Sequence, residues 1–523
     1  ACGGRAPDVE TISMVPAGSQ APAPTASAVP SPTPATAIKQ PPAPTATLTP
    51  TQSPTPRPVV VAVPAEWREA VDAGLAPPAS EPGPEYAWSI STEADPAAAL
   101  ADGRAQMALV HGDHGLVVRR EPIALAVPFT TNWEAVSQAE ADAILSNGDS
   151  LARAIPWGEM DPANKALRVD GRHPTDADYP YQDSWSLLAA PGFEEPAADL
   201  ALQLAGSLAP LPAIRLAAVG DINLDRSPAY IITTTGDLAY PLSLVKPVLE
   251  AADYAMGNLE TALGDIGEPA AKAYLFRSPP VAAQSLALGG LDLLSLANNH
   301  AMDYGPQALL QGIGLLRDAG VATVGAGENL AAAHAAHVVD IDGLTVGVLG
   351  YVNVPVEGST HFDTRSWTAA NDSPGLAWGD PDTIRADVAV LNESVDLTVV
   401  LLHSGYEYIE EPSEEQVAAA RAAVDAGADL VIGHHAHILQ GVHRYGEGVI
   451  VYGMGNFLFD IDGPRETAIL NVWLDQNGVR QLELVPAIIQ EHGQPRLAEA
   501  WEAAPILSRV YYLTTILNAA NPD

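Results

Sequence analysis

Four histidines, His300, His403, His435 and His437, share the second half of the chain with Asp221, Asn258, Glu260 and Asn299, and all eight fall where a short apolar run stops. A single Gly-Asp after a strand is more often a turn or a helix cap than a ligand, and one buried histidine is usually satisfied by a hydrogen bond. Eight such residues at corresponding places are harder to explain structurally. Mixed carboxylate, amide oxygen and imidazole donors suit Mn, Fe, Zn or a similar divalent ion. The one cysteine, Cys2, excludes a thiolate cluster and an intrachain disulfide. His435 and His437, two residues apart on extended backbone, point to the same side and can share a site. This many donors suits two ions rather than one.

The elements that must position these groups are buried strands. The apolar run 216–219 ends at Gly220-Asp221, run 254–256 at Gly257-Asn258-Leu259-Glu260, and run 291–297 at Asn298-Asn299-His300 with Asp303 and Gly305 beyond. Run 397–402 then ends at His403-Ser404-Gly405-Tyr406-Glu407-Tyr408, run 430–432 at Gly433-His434-His435-Ala436-His437, and run 449–452 at Gly453-Met454-Gly455-Asn456-Phe457. Continuous apolar runs mark parallel strands covered on both faces, and ligands of α/β sheets sit beyond the strands' carboxyl ends. The fold class is therefore α/β, with one site fed by six strand ends.

Taken in order, these motifs resemble the capsule synthesis protein CapA family, a branch of the calcineurin-like metallophosphoesterases, and Phe276-Arg277-Ser278-Pro279-Pro280 matches a further family segment. The resemblance implies a four-layered β-sandwich of two sheets flanked by helices. It implies oxygen ligands from Asp221, Asn258, Glu260 and Asn299, and nitrogen ligands from His403, His435 and His437. It also implies two ions that activate a water and hold the substrate oxygen. His300 is the expected proton donor, with Asp303 either fixing its imidazole or capping the helix that starts near Pro306. Glu407 is read as a further ligand or the base. Arg226 and Arg277 are read as clamps for a carboxylate or phosphate, which the guanidinium fork fits. The Gly-His-His-x-His spelling allows either His434 or His435 as the ligand. His334, His337, His361 and His443 lie outside the motifs and are read as structural. Asn223 stands where the family has Met, and Ser404 where it has Trp after the first motif histidine; neither removes a proposed ligand, but both reshape the pocket.

The 523-residue chain is long enough for two or three domains. Residues 1–14 read as a lipoprotein-like N-terminus, because Ala1-Cys2-Gly3-Gly4 resembles the end of a bacterial lipoprotein signal, with Cys2 as the lipidation site. Residues 15–58 are a Pro/Thr/Ala-rich stretch that cannot form a core and reads as a disordered, extended linker. Residues 59–208 read as a small α/β domain with strands at 59–63, 107–110, 123–127 and 187–189 and a last helix at 196–208. Its middle resembles a phosphate-type periplasmic substrate-binding protein. Residues 214–491 form the CapA-like domain and 492–523 a C-terminal helical tail.

The formal charge of -39 repels nucleic acid and anionic lipid head groups and attracts cations. The expected function is thus that of an extracytoplasmic protein, lipid-anchored to the bacterial cell membrane. It would be a metal-dependent hydrolase in the synthesis or processing of an anionic polymer such as poly-γ-glutamate, or one acting on a small phosphoester or amide substrate, beside membrane polymer-synthesis proteins. The alternatives are a non-catalytic assembly factor and a solute-sensing lipoprotein.

Overall fold

A computed structural model describes residues 56–75, 86–354, 356, 361–460 and 462–520. Cys2 and the Pro-rich stretch to Thr55 lie outside the described residues.

The apolar runs do form the buried strands. One eight-stranded sheet places Ala322–Val324, Leu293–Ser295, Tyr254–Leu259, Ile214–Ile222, Glu466–Asp475, Gly478–Ile489 and Pro495–Leu497 side by side, with Asn456–Leu458 against the end of the Asp221 strand. A six-stranded sheet runs His337–Ile341, Leu344–Asn353, Leu397–Ser404, Leu430–His434, Gly448–Val451 and Val442–Tyr445. Because side chains alternate across a strand, each run supplies two cores. Leu216 and Ala218 join Leu397, Val399, Leu401, Leu430 and Ile432 in a core between the sheets. Ala217 and Val219 face the other way, onto the helices that carry Ile232, Leu286 and Leu309. Val400, Leu402 and Val431 face the helices Pro381–Asn392 and Glu414–Asp425. Three stacked cores between four layers make this an α/β sandwich of two sheets flanked by helices. Truncating a fully buried leucine such as Leu401 to alanine costs about 2–5 kcal/mol in such a core.

Local signals set the outer helices. Ser413 and Gln416 form a reciprocal capping box, and Asp380 caps a helix that begins with Pro381.

Strand ends differ from the expectation in an instructive way. The first strand runs on through Gly220 and Asp221 to Ile222, because Asp221 pairs with Asn258 on one side and with Asn456 on the other. Asn258 and His403 likewise lie within their strands. The third run is shorter than expected, with only Leu293–Ser295 in the sheet.

Residues 57–189 build a mixed seven-stranded sheet ordered Tyr86–Thr92, Arg57–Val63, Met107–His111, Gln182–Ala189, Leu116–Pro128 and Arg153–Pro156, with Asn164–Ala166 on the long Leu116–Pro128 strand. The first of these in chain order, Arg57–Val63, starts inside the stretch read as linker. The last helix spans Glu194–Ser207. This module packs on the eight-stranded sheet: Ala166 N–H donates to Gln481 Oε1 at 2.9 Å, and the His173 ring stacks 4.3 Å from that of Trp473. At the C-terminal end, Pro495–Leu497 forms an edge strand before the helix Ala500–Ala520. Among the described residues no helix is long and apolar enough to cross a membrane.

Candidate metal centre

Two glycines let the strands meet at the site. A Cβ at Gly220 would stand 2.0 Å from the Gly455 carbonyl oxygen, and one at Gly433 would stand 1.8 Å from that of Tyr452. Only bare backbone allows these approaches, which carry Asp221 and the turn at 434–437 into one pocket. His435 and His437 both hold left-handed backbone, with φ of 84° and 56°. Such conformations in non-glycine residues concentrate at functional sites, where the surrounding structure over-determines them.

The structure brings Asp221, Asn258, Glu260, Asn299, His403, His435 and His437 together, all buried. Donor atoms of Glu260, His435 and His437 lie within 4.8 Å of one another. His403 Nε2 is 3.6 Å from Glu260, and His437 Nδ1 is 3.5 Å from Asp221. The His435 backbone N–H donates to Asp221 Oδ2 at 3.2 Å. His403 bridges two amides: its Nε2 meets Asn299 Oδ1 at 2.8 Å, and its Nδ1 meets Asn258 Nδ2 at 3.2 Å. Asn258 Nδ2 also donates to Asp221 at 2.8 Å, while its Oδ1 accepts from Asn298 at 3.0 Å. Asn258 therefore turns its donor end to the cluster, and service as an oxygen ligand requires the opposite amide orientation. Of the two adjacent histidines, His435 faces the carboxylates, whereas His434 Nε2 donates to the Val219 carbonyl at 3.2 Å.

Electrostatics single this cluster out. Burial pushes the Asp221 carboxyl up, but His437, His434 and Asn258 outweigh it and hold the group below its ordinary value. Burial and the Asp221 charge drive Glu260 well above the usual carboxylate range. Burial lowers His403 far below its ordinary value, with the His435 and His434 rings adding to the effect, and brings His435 down to about 3 with His437 adding. For His437 burial favours the neutral form, yet Glu260 and Asp221 outweigh it and lift the imidazole to about 10.

Both Glu260 oxygens are buried without a hydrogen-bond partner, as is His435 Nδ1. A buried carboxylate is costly unless it is paired or coordinates a metal. A buried carboxylate without hydrogen bonds, among two imidazoles and a second carboxylate, fits a divalent cation in charge, donor type and spacing.

Beside the cluster, His300 Nδ1 is hydrogen-bonded to Asp303 Oδ2 at 2.7 Å. The helix Gly305–Asp318 has no side-chain cap, so Asp303 orients His300 rather than capping. The Phe276 ring lies 4.5 Å from that of His300. Glu407 is exposed on the loop after the His403 strand, and its charge acts on Glu260 and His437. Arg226 donates to the Asp460 carbonyl at 2.9 Å, with its guanidinium 5.5 Å from the Phe276 ring centre, at the edge of the site. Arg277 stays outside the cluster: its guanidinium lies 3.6 Å over the Tyr304 ring and donates to the Ile266 and Gly267 carbonyls.

Sequence reasoning assigned no role to Lys272, Asn456 or Phe459. The Lys272 side chain is fully buried and pairs with Asp303 at 2.8 Å; as a lone lysine in coil it gives no local signal. Asn456 accepts from His437 Nδ1 at 2.8 Å, and its place at the sixth strand end was the available clue. Phe459 packs edge-on to His437.

The family model described as bacterial capsule synthesis protein PGA_cap matches residues 215–461. The capsule biosynthesis protein CapA of Bacillus anthracis is 34% identical over 288 residues, covering 53% of this chain and 68% of that protein. The PGA biosynthesis protein CapA of Bacillus subtilis is 31% identical over 278 residues, covering 52% of this chain and 71% of that protein. Among solved structures, a phosphatase from Mycoplasma pneumoniae aligns with a TM-score of 0.35 at 12% identity, over 54% of this chain and 95% of its own. With two relatives above 30% identity matched over more than two thirds of their lengths, and the family's motifs converging on one buried cluster, the chain belongs to the bacterial capsule synthesis protein family of CapA.

Proposed function

We propose that this protein is a metal-dependent hydrolase of cell-envelope polymer metabolism, cleaving a phosphoester or amide bond in an anionic polymer such as poly-γ-glutamate. The observation that carries the reading is the Glu260 carboxylate, buried with no hydrogen bond to either oxygen and lying among Asp221, His435 and His437. Asp221, Glu260, Asn299, His403, His435 and His437 would hold the cation, two ions in our reading, of Mn, Fe or Zn. Bound there, it would supply Lewis acidity for an attacking water and a polarised substrate oxygen. His300, its Nδ1 tied to Asp303, is the candidate proton donor to the leaving group. Glu407, on the loop beside His437, is the candidate base. Arg226 at the rim is the candidate anchor for a substrate carboxylate or phosphate.

The names of the two CapA relatives support the polymer assignment. In this reading Cys2 carries a lipid that holds the protein on the outer face of the membrane, beside the polymer-synthesis proteins.

The test is the metal content of wild type beside Asp221→Ala, coupled to hydrolysis of a generic phosphodiester and of poly-γ-glutamate with Mn added. Bound ions that depend on Asp221 and support cleavage uphold the reading. A metal-free, inert protein overturns it.

The net charge of -39 favours a second reading, since it opposes a polyanionic substrate. In that reading the protein is an assembly factor without turnover, and a His300→Ala strain makes polymer at the wild-type level.

A further inference from the structure

Lys272 is one of only four lysines in the chain, and its side chain has no exposed surface. Burying an ammonium is costly unless every donor finds a partner, and a buried ion pair adds little net stability over an apolar replacement. Its surroundings point instead to geometry. The ammonium donates to Asp303 Oδ1 at 2.8 Å and to the Asn299 carbonyl oxygen. The other Asp303 oxygen, Oδ2, is shared by His300 Nδ1 at 2.7 Å and the Phe276 N–H at 2.7 Å. The Asp303 backbone carbonyl accepts from Ala270 N–H at 2.8 Å. Ala270, Lys272 and Phe276 thereby fasten segment 270–276 to turn 299–303. From outside, the Trp367 and Phe362 rings lie over the ammonium at 4.9 and 5.6 Å, an aromatic cage that favours a cation.

We propose that Lys272 is a positioning residue for His300 and Asn299. By occupying Asp303 Oδ1 it leaves Oδ2 as the oxygen that orients the His300 imidazole, and by holding the Asn299 carbonyl it aims the Asn299 side chain at His403. This inference rests on the hydrolase reading for its consequence, but not for its geometry. Charged partners behind catalytic or ligating groups change affinity or activity about 10- to 100-fold when removed.

The test uses the full chain with isotope-labelled histidines, before and after Mn is added. His300→Gln identifies the His300 imidazole resonances. Wild type is expected to show the tautomer with the proton on Nδ1, and Lys272→Met to lose that signature and bind Mn about 10-fold or more weakly. Unchanged His300 resonances together with unchanged Mn affinity overturn the proposal, as does wild type without the Nδ1 proton. Should Lys272→Met not fold, Lys272→Arg decides: a retained charge in displaced geometry shifts the His300 resonances, and unshifted resonances overturn the proposal. Where a substrate is turned over, kcat falls with KM held. If the resonances respond as expected while wild type cleaves nothing, the hydrolase reading fails and the positioning role stands.

Discussion

The Nδ1 atom of His437 stands 3.9 Å from the Glu260 carboxylate and 3.5 Å from that of Asp221, so one imidazole links two buried acids that repel each other. Without a cation, the cluster balances its charge with protons.

That balance makes Glu260 a liability for the metal-free fold. Its carboxyl titrates well above the ordinary 4.5, through burial and the Asp221 charge. The unfolded chain releases this proton first, so the group's contribution to stability is lost as pH rises above that value. Glu260→Gln, which does not titrate, is expected to be more stable than wild type in chelator by about 1–3 kcal/mol, the difference growing with pH. Adding Mn should reverse the order, because a ligand at a hundredfold excess over Kd stabilises the protein that binds it by about 2.7 kcal/mol. Melting curves with and without Mn at several pH values check both halves.

Gly433 has no room for a methyl group, since its Cβ would stand 1.8 Å from the Tyr452 carbonyl oxygen. Two strands of one sheet cannot part by that much while keeping their ladder. Gly433→Ala is expected to cost about 4 kcal/mol or more and to yield little soluble protein. Gly192→Ala serves as the control, with nothing within 4 Å of its Cβ. Its positive φ of 89° limits the expected cost to about 1–2 kcal/mol. Denaturant midpoints compare the two.

Acid sensitivity should trace in part to His173, buried between the Trp157 and Trp473 rings. Burial, reinforced by the Arg168 charge, brings its imidazole from 6.5 down to about 3. Between those values the unfolded chain holds a proton that the folded chain does not, so stability falls as pH falls through this window. The loss is on the order of 3–5 kcal/mol by its lower end. His173→Gln should show a shallower fall in urea midpoint from neutral to acidic pH; parallel curves refute the assignment.

Arg168 grips Glu483 with three hydrogen bonds of 2.8 to 3.0 Å, fastening the seven-stranded module to the eight-stranded sheet. Removing one partner strands the other in a site where Glu483 is only 14% exposed. Arg168→Ala is expected to cost about 2–4 kcal/mol, and a double-mutant cycle with Glu483→Gln to show about 1–3 kcal/mol of coupling. Additive changes would show that the two do not act as a pair.

Much of this molecule was legible in its residues. Six apolar runs that close on Asp, Asn, Glu or His specify strands covered on both faces whose polar groups gather toward the carboxyl ends, where ligands of α/β sheets sit. The alternation within each run already contains the division into separate cores that the layers share out. Asp221, Glu260, Asn299, His403, His435 and His437 were nameable for the same reason. Other features needed coordinates. Which of His434 and His435 faces the carboxylates goes with a left-handed backbone at His435, two residues past the close approach of Gly433 to Tyr452. Arg277 looked like a substrate clamp by residue type, but Tyr304 and two carbonyls from a loop ten residues away hold its guanidinium. Lys272 was silent in sequence, since its partners Asp303, Asn299 and Trp367 are neighbours only once the chain is folded. Periodicity and residue type report what a segment must bury and which atoms it can offer. Which offered atoms meet is decided by long-range packing, and no local window of sequence contains it.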